Sequence, residues 1–110
     1  IAVGIRAAEA LVRRAARFVD AAQAQATEQS VAEASIAVAE ARALTTTASL
    51  DAGTRLFELA GTSATTGQKG LDRFWRNART HTLHDPVRWK YHAVGNFYLN
   101  GRNPPRHGAL

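Results

Sequence analysis

The sequence predicts an all-α protein, an antiparallel helical bundle, and three observations carry that prediction. Apolar residues recur at steps of three and four through most of the first sixty positions. No segment alternates apolar and polar residues for long enough to form a strand. Glycine and proline interrupt the pattern at positions typical of helix ends. A chain of 110 residues fits one small domain or part of a larger one.

The first predicted helix covers residues 1–26. One face of it repeats apolar residues at alternating steps of four and three, as an amphipathic helix does. These residues are Ile1, Ile5, Ala8, Val12, Ala15, Val19 and Ala22. Thr27 or Glu28 is the expected break between this helix and the next.

The second predicted helix covers residues 28–60, with no proline and one internal glycine, Gly53. Its small and apolar residues fall on two faces, which indicates a helix packed on both sides in the middle of a bundle. The first face holds Val31, Ala34, Val38, Ala41 and Thr45, and the second holds Ile36, Ala39, Ala43, Thr47 and Leu50. Such a helix is roughly 50 Å long, so we expect it to pack against helices outside this chain.

Shorter elements follow. Gly61 ends the second helix in a C-terminal capping role, and the Gly/Ser/Thr-rich segment 61–70 reads as a loop. A short helix is predicted over 71–82. Asp85-Pro86 then signals a new helix, with Asp as N-cap and Pro at the first helical position. Asn100-Gly101 closes that helix, and an extended tail remains.

Charge and composition change along the chain. Residues 1–68 have a net charge of −1 and residues 69–110 a net charge of +6, which together give the overall +5. The second part also contains both Trp, both Tyr, all four His and all three Pro. We therefore predict a helical scaffold followed by a site-bearing region. The absence of cysteine excludes disulfides and thiolate metal sites, and no run approaches the roughly 18 apolar residues of a membrane span.

The histidines at 81 and 84 are the first candidates for chemistry. Histidine is neutral near pH 7 and can donate or accept a proton. Two histidines three residues apart could also share a metal, but a closed site needs about four ligands, so no metal site is assigned. The alternative is structural: both side chains cap the helix break and bond the backbone.

Three further groups of residues each allow two interpretations. Arginines at steps of three, Arg73, Arg76 and Arg79, could bind phosphate or pair with acids of neighbouring helices. The loop 61–70 could approach a phosphate through its backbone N–H groups or simply connect helices. The aromatic residues could stack on a base or a flavin, or pack a core or subunit interface; they are Phe74, Trp75, Trp89, Tyr91, Phe97 and Tyr98.

Two strings of residues resemble a known family. The string FELAGTSA covers 57–64, and LDRFWRNARTHTLHDPVRWKYHAVGN covers 71–96. Both resemble the C-terminal end of flavin-dependent monooxygenases built on the acyl-CoA dehydrogenase fold, in particular the dibenzothiophene and sulfone monooxygenases that use reduced FMN. The helices at 1–60 resemble the same domain more loosely.

The resemblance implies a domain organisation and partners. Such enzymes have an N-terminal helical domain, a β-barrel and a C-terminal four-helix bundle, and residues 1–110 resemble only the last. We expect the chain to be an excerpt, with two scaffold helices at 1–60, a site-bearing part at 61–110 and the other domains absent. The resemblance also implies a cytoplasmic homo-oligomer, a tetramer, that receives reduced FMN from a separate reductase. The expected substrate is small, hydrophobic and sulfur-containing; nucleic acid and membrane are not expected partners.

The resemblance also implies roles for individual residues. Acyl-CoA dehydrogenases have Arg-Asp-Ala-Arg followed by an aromatic residue, Glu and Gly, and the Glu is in some of them the catalytic base. Here 76–79 reads Arg-Asn-Ala-Arg, which keeps the first part of this pattern. The second part is replaced by His-Asp-Pro at 84–86, which argues against dehydrogenation. His84, and after it His81, are the expected catalytic residues, because histidine can hydrogen-bond or protonate a flavin peroxide. The expected cofactor-binding residues are Asn77, Arg79, Thr62 and Ser63.

Three alternatives stay open. An FAD-dependent acyl-CoA dehydrogenase with its base elsewhere keeps the same fold. A non-catalytic helical oligomerisation module would need no flavin. A nucleic-acid binder would lose affinity steeply with salt.

Overall fold

The computed structural model describes residues 1–84 and 86–105, except for the side chain of Ala64. In this part of the chain the secondary structure is helical throughout, and no strand is present. The elements are α1 (Ala2–Ala24), α2 (Glu28–Ala60), a short 3₁₀ turn (Thr62–Thr65), α3 (Asp72–His84) and α4 (Arg88–Asn100). The all-α prediction is confirmed.

A capping box separates α1 from α2. The Thr27 hydroxyl accepts a hydrogen bond from the Ser30 N–H at 3.0 Å, and the Ser30 hydroxyl oxygen accepts one from the Thr27 N–H at 2.8 Å. Two of the unpaired amides at the helix start are thereby satisfied. The break predicted at Thr27 or Glu28 is confirmed. Beyond it the two helices pack through small residues, Ala15 against Ala37 and Ala41.

Helix α2 is the central element of the fold. It packs against α1, α3 and α4, as its two apolar faces predict. Ile36 is only 1% exposed and is the largest fully buried side chain of the described residues. Because α2 runs for 33 residues, the molecule is elongated, 53 Å long and 22 Å across.

Helices α3 and α4 both pack against α2. The Trp75 backbone lies against Gly53, and His81 of the same helix meets Arg42, so α3 runs antiparallel to α2. Helix α4 lies towards the start of α2, where the Tyr98 hydroxyl donates to the Glu40 carboxylate at 3.3 Å. The end of α3 therefore lies beside the middle of α2.

Helix boundaries follow most of the sequence signals. Gly61 and Gly101 end α2 and α4 with φ angles of 73° and 66°, a region where glycine carries no steric penalty. The start of α4 differs from the prediction. Pro86 is not its first residue, because a turn precedes Arg88, with the Lys90 N–H donating to the Val87 carbonyl at 2.9 Å. Asp85, the predicted N-cap, and 106–110 lie outside the described residues.

One side of the α1–α2 pair stays open. An apolar groove runs between the two helices, with adjoining cavities of about 450, 430 and 360 Å³. Val12 and Val38 on its walls are 48% and 45% exposed. We call this surface the hairpin groove; its larger lining residues include Ile5, Val12, Val19, Val38 and Thr45.

We expect the crossing of α2 and α3 to be sensitive at Gly53. A Cβ there would lie 3.3 Å from the Trp75 Cα, so Gly53→Leu forces the helices apart and should cost about 1–3 kcal/mol of stability. Urea unfolding followed by circular dichroism measures this loss. The control is Gly95→Ala on α4, where a Cβ meets nothing within 4 Å and helix propensity should add about 0.5–1 kcal/mol. If Gly53→Leu unfolded at the same urea concentration as the wild type, the close approach of α2 and α3 at Gly53 would be contradicted.

Candidate functional site

Helix α3 presents most of the predicted site residues to solvent. The side chains of Asn77, Arg79, His81 and His84 are all exposed. Thr82 instead faces inward at 6% exposure, and its hydroxyl donates to the Arg79 carbonyl at 2.9 Å. The inward face of α3 fixes the helix on α2, and the outward face carries the polar groups.

The two histidines have different surroundings. His81 Nε2 lies 3.2 Å from the NH1 nitrogen of Arg42 on α2. His84 lies at the last residue of α3, and no hydrogen bond joins its side chain to another described residue. In the described part of the chain neither ring bonds the backbone, so the capping alternative has no support there. His81 is held by a neighbouring helix, whereas the His84 ring is open to a ligand.

Thr62 and Ser63 lie at the other end of α3, in the 3₁₀ turn after α2. The Ser63 hydroxyl donates to the Ala60 carbonyl at 3.2 Å and accepts from the Lys69 ammonium at 3.0 Å. The Thr62 carbonyl accepts from the Thr65 hydroxyl at 2.8 Å. Lys69 was not predicted as a site residue. Its position in a glycine-rich loop, six residues after Ser63, is the only sequence signal for it.

The structure does not bring the two groups of predicted site residues together. Helix α3 has 13 residues, so at 1.5 Å per residue the turn containing Ser63 is separated from His84 by roughly 20 Å. In this chain the two groups therefore lie at opposite ends of α3. Asn77 and Arg79 lie between them and nearer to the histidines.

The three arginines of α3 do not act as one stripe. Arg76 Nε donates to the Asp72 carboxylate at 2.8 Å within α3, and the Arg73 guanidinium lies 4.7 Å from the centre of the Phe74 ring. Of the two alternatives, pairing with an acid is seen for Arg76, but its partner is one turn earlier in α3 and not on a neighbouring helix. Arg79 has no acidic partner among the described residues, which leaves its guanidinium available for an anion.

Two exposed tryptophan rings lie on the helices before and after the predicted site histidines. Trp75 on α3 is 42% exposed, and Trp89 on α4 is 54% exposed. Trp89 contacts His92 edge to face, with ring centres 5.9 Å apart. These rings, the His84 imidazole, the Asn77 amide and the Arg79 guanidinium are the types of group that bind a flavin, namely stacking surfaces, hydrogen-bond donors and a cation for phosphate. The described side chains thus fit a flavin.

Two kinds of feature are absent from the described residues. Within 1–84 and 86–105, no three His, Asp or Glu side chains come together as a metal site. None of the helices in those ranges is both long and apolar enough to cross a membrane.

The fold and these residues define a class of protein. Residues 1–89 match the family model described as "Acyl-CoA dehydrogenase, C-terminal domain". The chain therefore belongs to the acyl-CoA dehydrogenase C-terminal domain family, which confirms the family that the two sequence strings predict.

Particular relatives narrow this class. The chain is 43% identical to a dibenzothiophene monooxygenase of Mycolicibacterium goodii and 40% identical to a probable FMNH2-dependent monooxygenase, SfnC, of Pseudomonas putida. Each match covers 93% of this chain and about a quarter of the relative. The solved structure of FMN-bound TdsC from Paenibacillus sp. A11-2 is similar with a TM-score of 0.91 and 38% identity, over 99% of this chain and 28% of TdsC. Two of these relatives are named monooxygenases, and the third is solved with FMN bound.

Proposed function

We propose that this chain is the C-terminal domain of a two-component, FMN-dependent monooxygenase. The carrying observation is its likeness, over nearly its whole length, to SfnC, which is named FMNH2-dependent, and to TdsC, which is solved with FMN. The proposed substrate is small, hydrophobic and sulfur-containing, in line with the dibenzothiophene named for one relative and the indole bound to TdsC. A separate reductase supplies the reduced FMN. An FAD-dependent acyl-CoA dehydrogenase is the second candidate.

The proposed roles follow from position and exposure. Reduced FMN, when bound, supplies the electrons that activate oxygen. His84 holds a proton beside the reacting oxygen, because its ring is exposed at the junction of α3 and α4. His81 assists it from one turn earlier. Asn77 and Arg79 hold the polar edge and the phosphate of the cofactor.

Thr62 and Ser63 are proposed to bind a cofactor in a neighbouring copy. The roughly 20 Å length of α3 separates them from the histidines of their own chain, so we assign them to a different flavin from the one that His84 contacts. The Lys69 ammonium beside the Ser63 hydroxyl is a suitable donor pair for a phosphate. This arrangement supports a homo-oligomer whose sites combine two copies.

The hairpin groove supports the same proposal. An apolar cavity of about 450 Å³ with half-exposed valines is unfavourable in water. A helix from another copy, or from domains outside this chain, would cover it. We propose a tetramer, in which residues 1–60 form the scaffold and domains absent from this chain complete each flavin site.

We expect FMN to bind once the domain is completed. The test replaces the matching segment of TdsC by this chain and titrates the chimera with FMN and with FAD, following flavin fluorescence; TdsC lacking the segment is the control. Saturable binding that favours FMN, with substrate oxygenation when reductase and oxygen are added, supports the proposal. Preference for FAD with reduction by an acyl-CoA favours the dehydrogenase, and no flavin binding contradicts both.

A further inference from the structure

We propose that Arg42 is a positioning residue that fixes the tautomer of His81. Arg42 lies on α2 and His81 on α3, 39 positions apart, yet NH1 of the guanidinium is 3.2 Å from Nε2 of the ring. Among the described residues it is the only side-chain hydrogen bond that joins these two helices. A role of this contact in catalysis rests on the proposed function, whereas the tautomer of His81 does not.

The direction of this hydrogen bond follows from its donor. A guanidinium carries only N–H donors and stays charged at any ordinary pH. The nitrogen that faces it must accept, so Nε2 presents its lone pair and the ring proton lies on Nδ1. A ring protonated at both nitrogens would set one N–H donor against another. Of the two tautomers of the neutral ring, Arg42 thus selects the one with the proton on Nδ1.

Arg42 is half-buried, and one of its nitrogens is shielded from water. Nε of Arg42 is buried and has no hydrogen-bond partner among the described residues. Leaving a buried donor unpaired costs stability, so such groups are rare and call for an explanation. Here the stem lies against the hairpin groove, beside Val38 and Thr45, and the head reaches the histidine. The helix pair holds the guanidinium in the orientation that serves His81.

The consequence for the site is which atom of His81 carries a proton. With Nε2 engaged by Arg42, Nδ1–H is the free donor of the ring. Asn77 and His84 lie one turn away on either side along α3, so the Nδ1–H group is presented within the proposed flavin-binding surface. A ring released from Arg42 could rotate and exchange its proton between the two nitrogens.

The test reads the tautomer directly in the 110-residue chain. Histidine labelled with ¹⁵N is examined by long-range ¹H–¹⁵N correlation at about pH 8, where imidazole is neutral, and the His81 signals are assigned by their loss in His81→Ala. We expect the protonated-nitrogen signal on Nδ1 in the wild type. In Arg42→Met, which keeps length and removes the donor, the proton should shift towards Nε2. Arg42→Lys, which keeps a donor, should restore the Nδ1–H form at least in part.

Controls separate the proposal from a general loss of structure. Arg55→Met changes another arginine of α2. Arg55 bonds the exposed Asp51 carboxylate, which raises the pKa of Arg55. This pair lies far from His81, so the tautomer of His81 should not change. A wild-type proton on Nε2, or an unchanged tautomer in Arg42→Met, overturns the proposal. If Arg42→Met does not fold, the position of the His81 proton in the wild type and in Arg42→Lys still tests the proposal.

The proposed function is tested separately. In the TdsC chimera, His81→Ala and Arg42→Met should lower kcat by a similar factor, up to about 10²-fold, and the double variant should lose little more. Full turnover of His81→Ala would remove His81 from the reaction while leaving the tautomer result intact.

Discussion

His84→Ala is expected to lower substrate oxygenation by about 10²–10⁴-fold, the range typical of a lost general acid or base. His84 is the last residue of α3, and its ring is exposed. The segment 84–86 reads His-Asp-Pro, at the positions where the resemblance implies an aromatic residue, Glu and Gly in acyl-CoA dehydrogenases. Alanine removes the proton donor and leaves the helix intact. Turnover is measured in the TdsC chimera with reductase, reduced FMN and oxygen.

The control for this prediction is His92→Ala. His92 is also an exposed histidine, but its ring lies on α4 and is bonded to Asn96 of the same helix at 3.1 Å. Turnover should stay near the wild-type value in this variant, and FMN affinity should change little in either. Equal turnover of His84→Ala and the wild type would remove His84 from the catalytic step.

Ile36→Ala should cause the largest loss of stability, about 2–5 kcal/mol. Ile36 is 1% exposed in the middle of α2, and beside it a cavity is lined by Phe18 of α1 and Phe97 of α4. Truncation removes contacts with the elements on both sides of α2. Small domains have only about 5–15 kcal/mol of stability, so the variant should unfold at much lower urea concentration, measured by circular dichroism.

Leu59→Ala is the matched control on the same helix. Leu59 is 77% exposed near the end of α2, so its truncation should change stability by no more than about 0.5 kcal/mol. If both variants lost the same amount, the loss at Ile36 would not reflect its burial. A loss confined to Ile36→Ala supports the central position of α2 in the fold.

The candidate site was only partly predictable. The string around His84 identified the family and the end of α3 that carries the proposed catalytic group. The sequence did not reveal that Lys69 donates to Ser63, because a lysine in a glycine-rich loop has no fixed partner until the turn closes. Nor did it show that Arg76 bonds Asp72 within its own helix, although a spacing of four residues permits such a pair.

What the sequence determined by itself is local. Thr27, Gly61 and Gly101 set helix ends because capping involves only nearby backbone groups, and the two apolar faces of α2 set its central place through helical periodicity. The tertiary structure alone decided which distant side chains meet. Arg42 reaches His81 because α2 and α3 approach closely at Gly53, and the same antiparallel packing holds Ser63 and His84 apart. Such contacts depend on the crossing and register of packed helices, which no local pattern encodes.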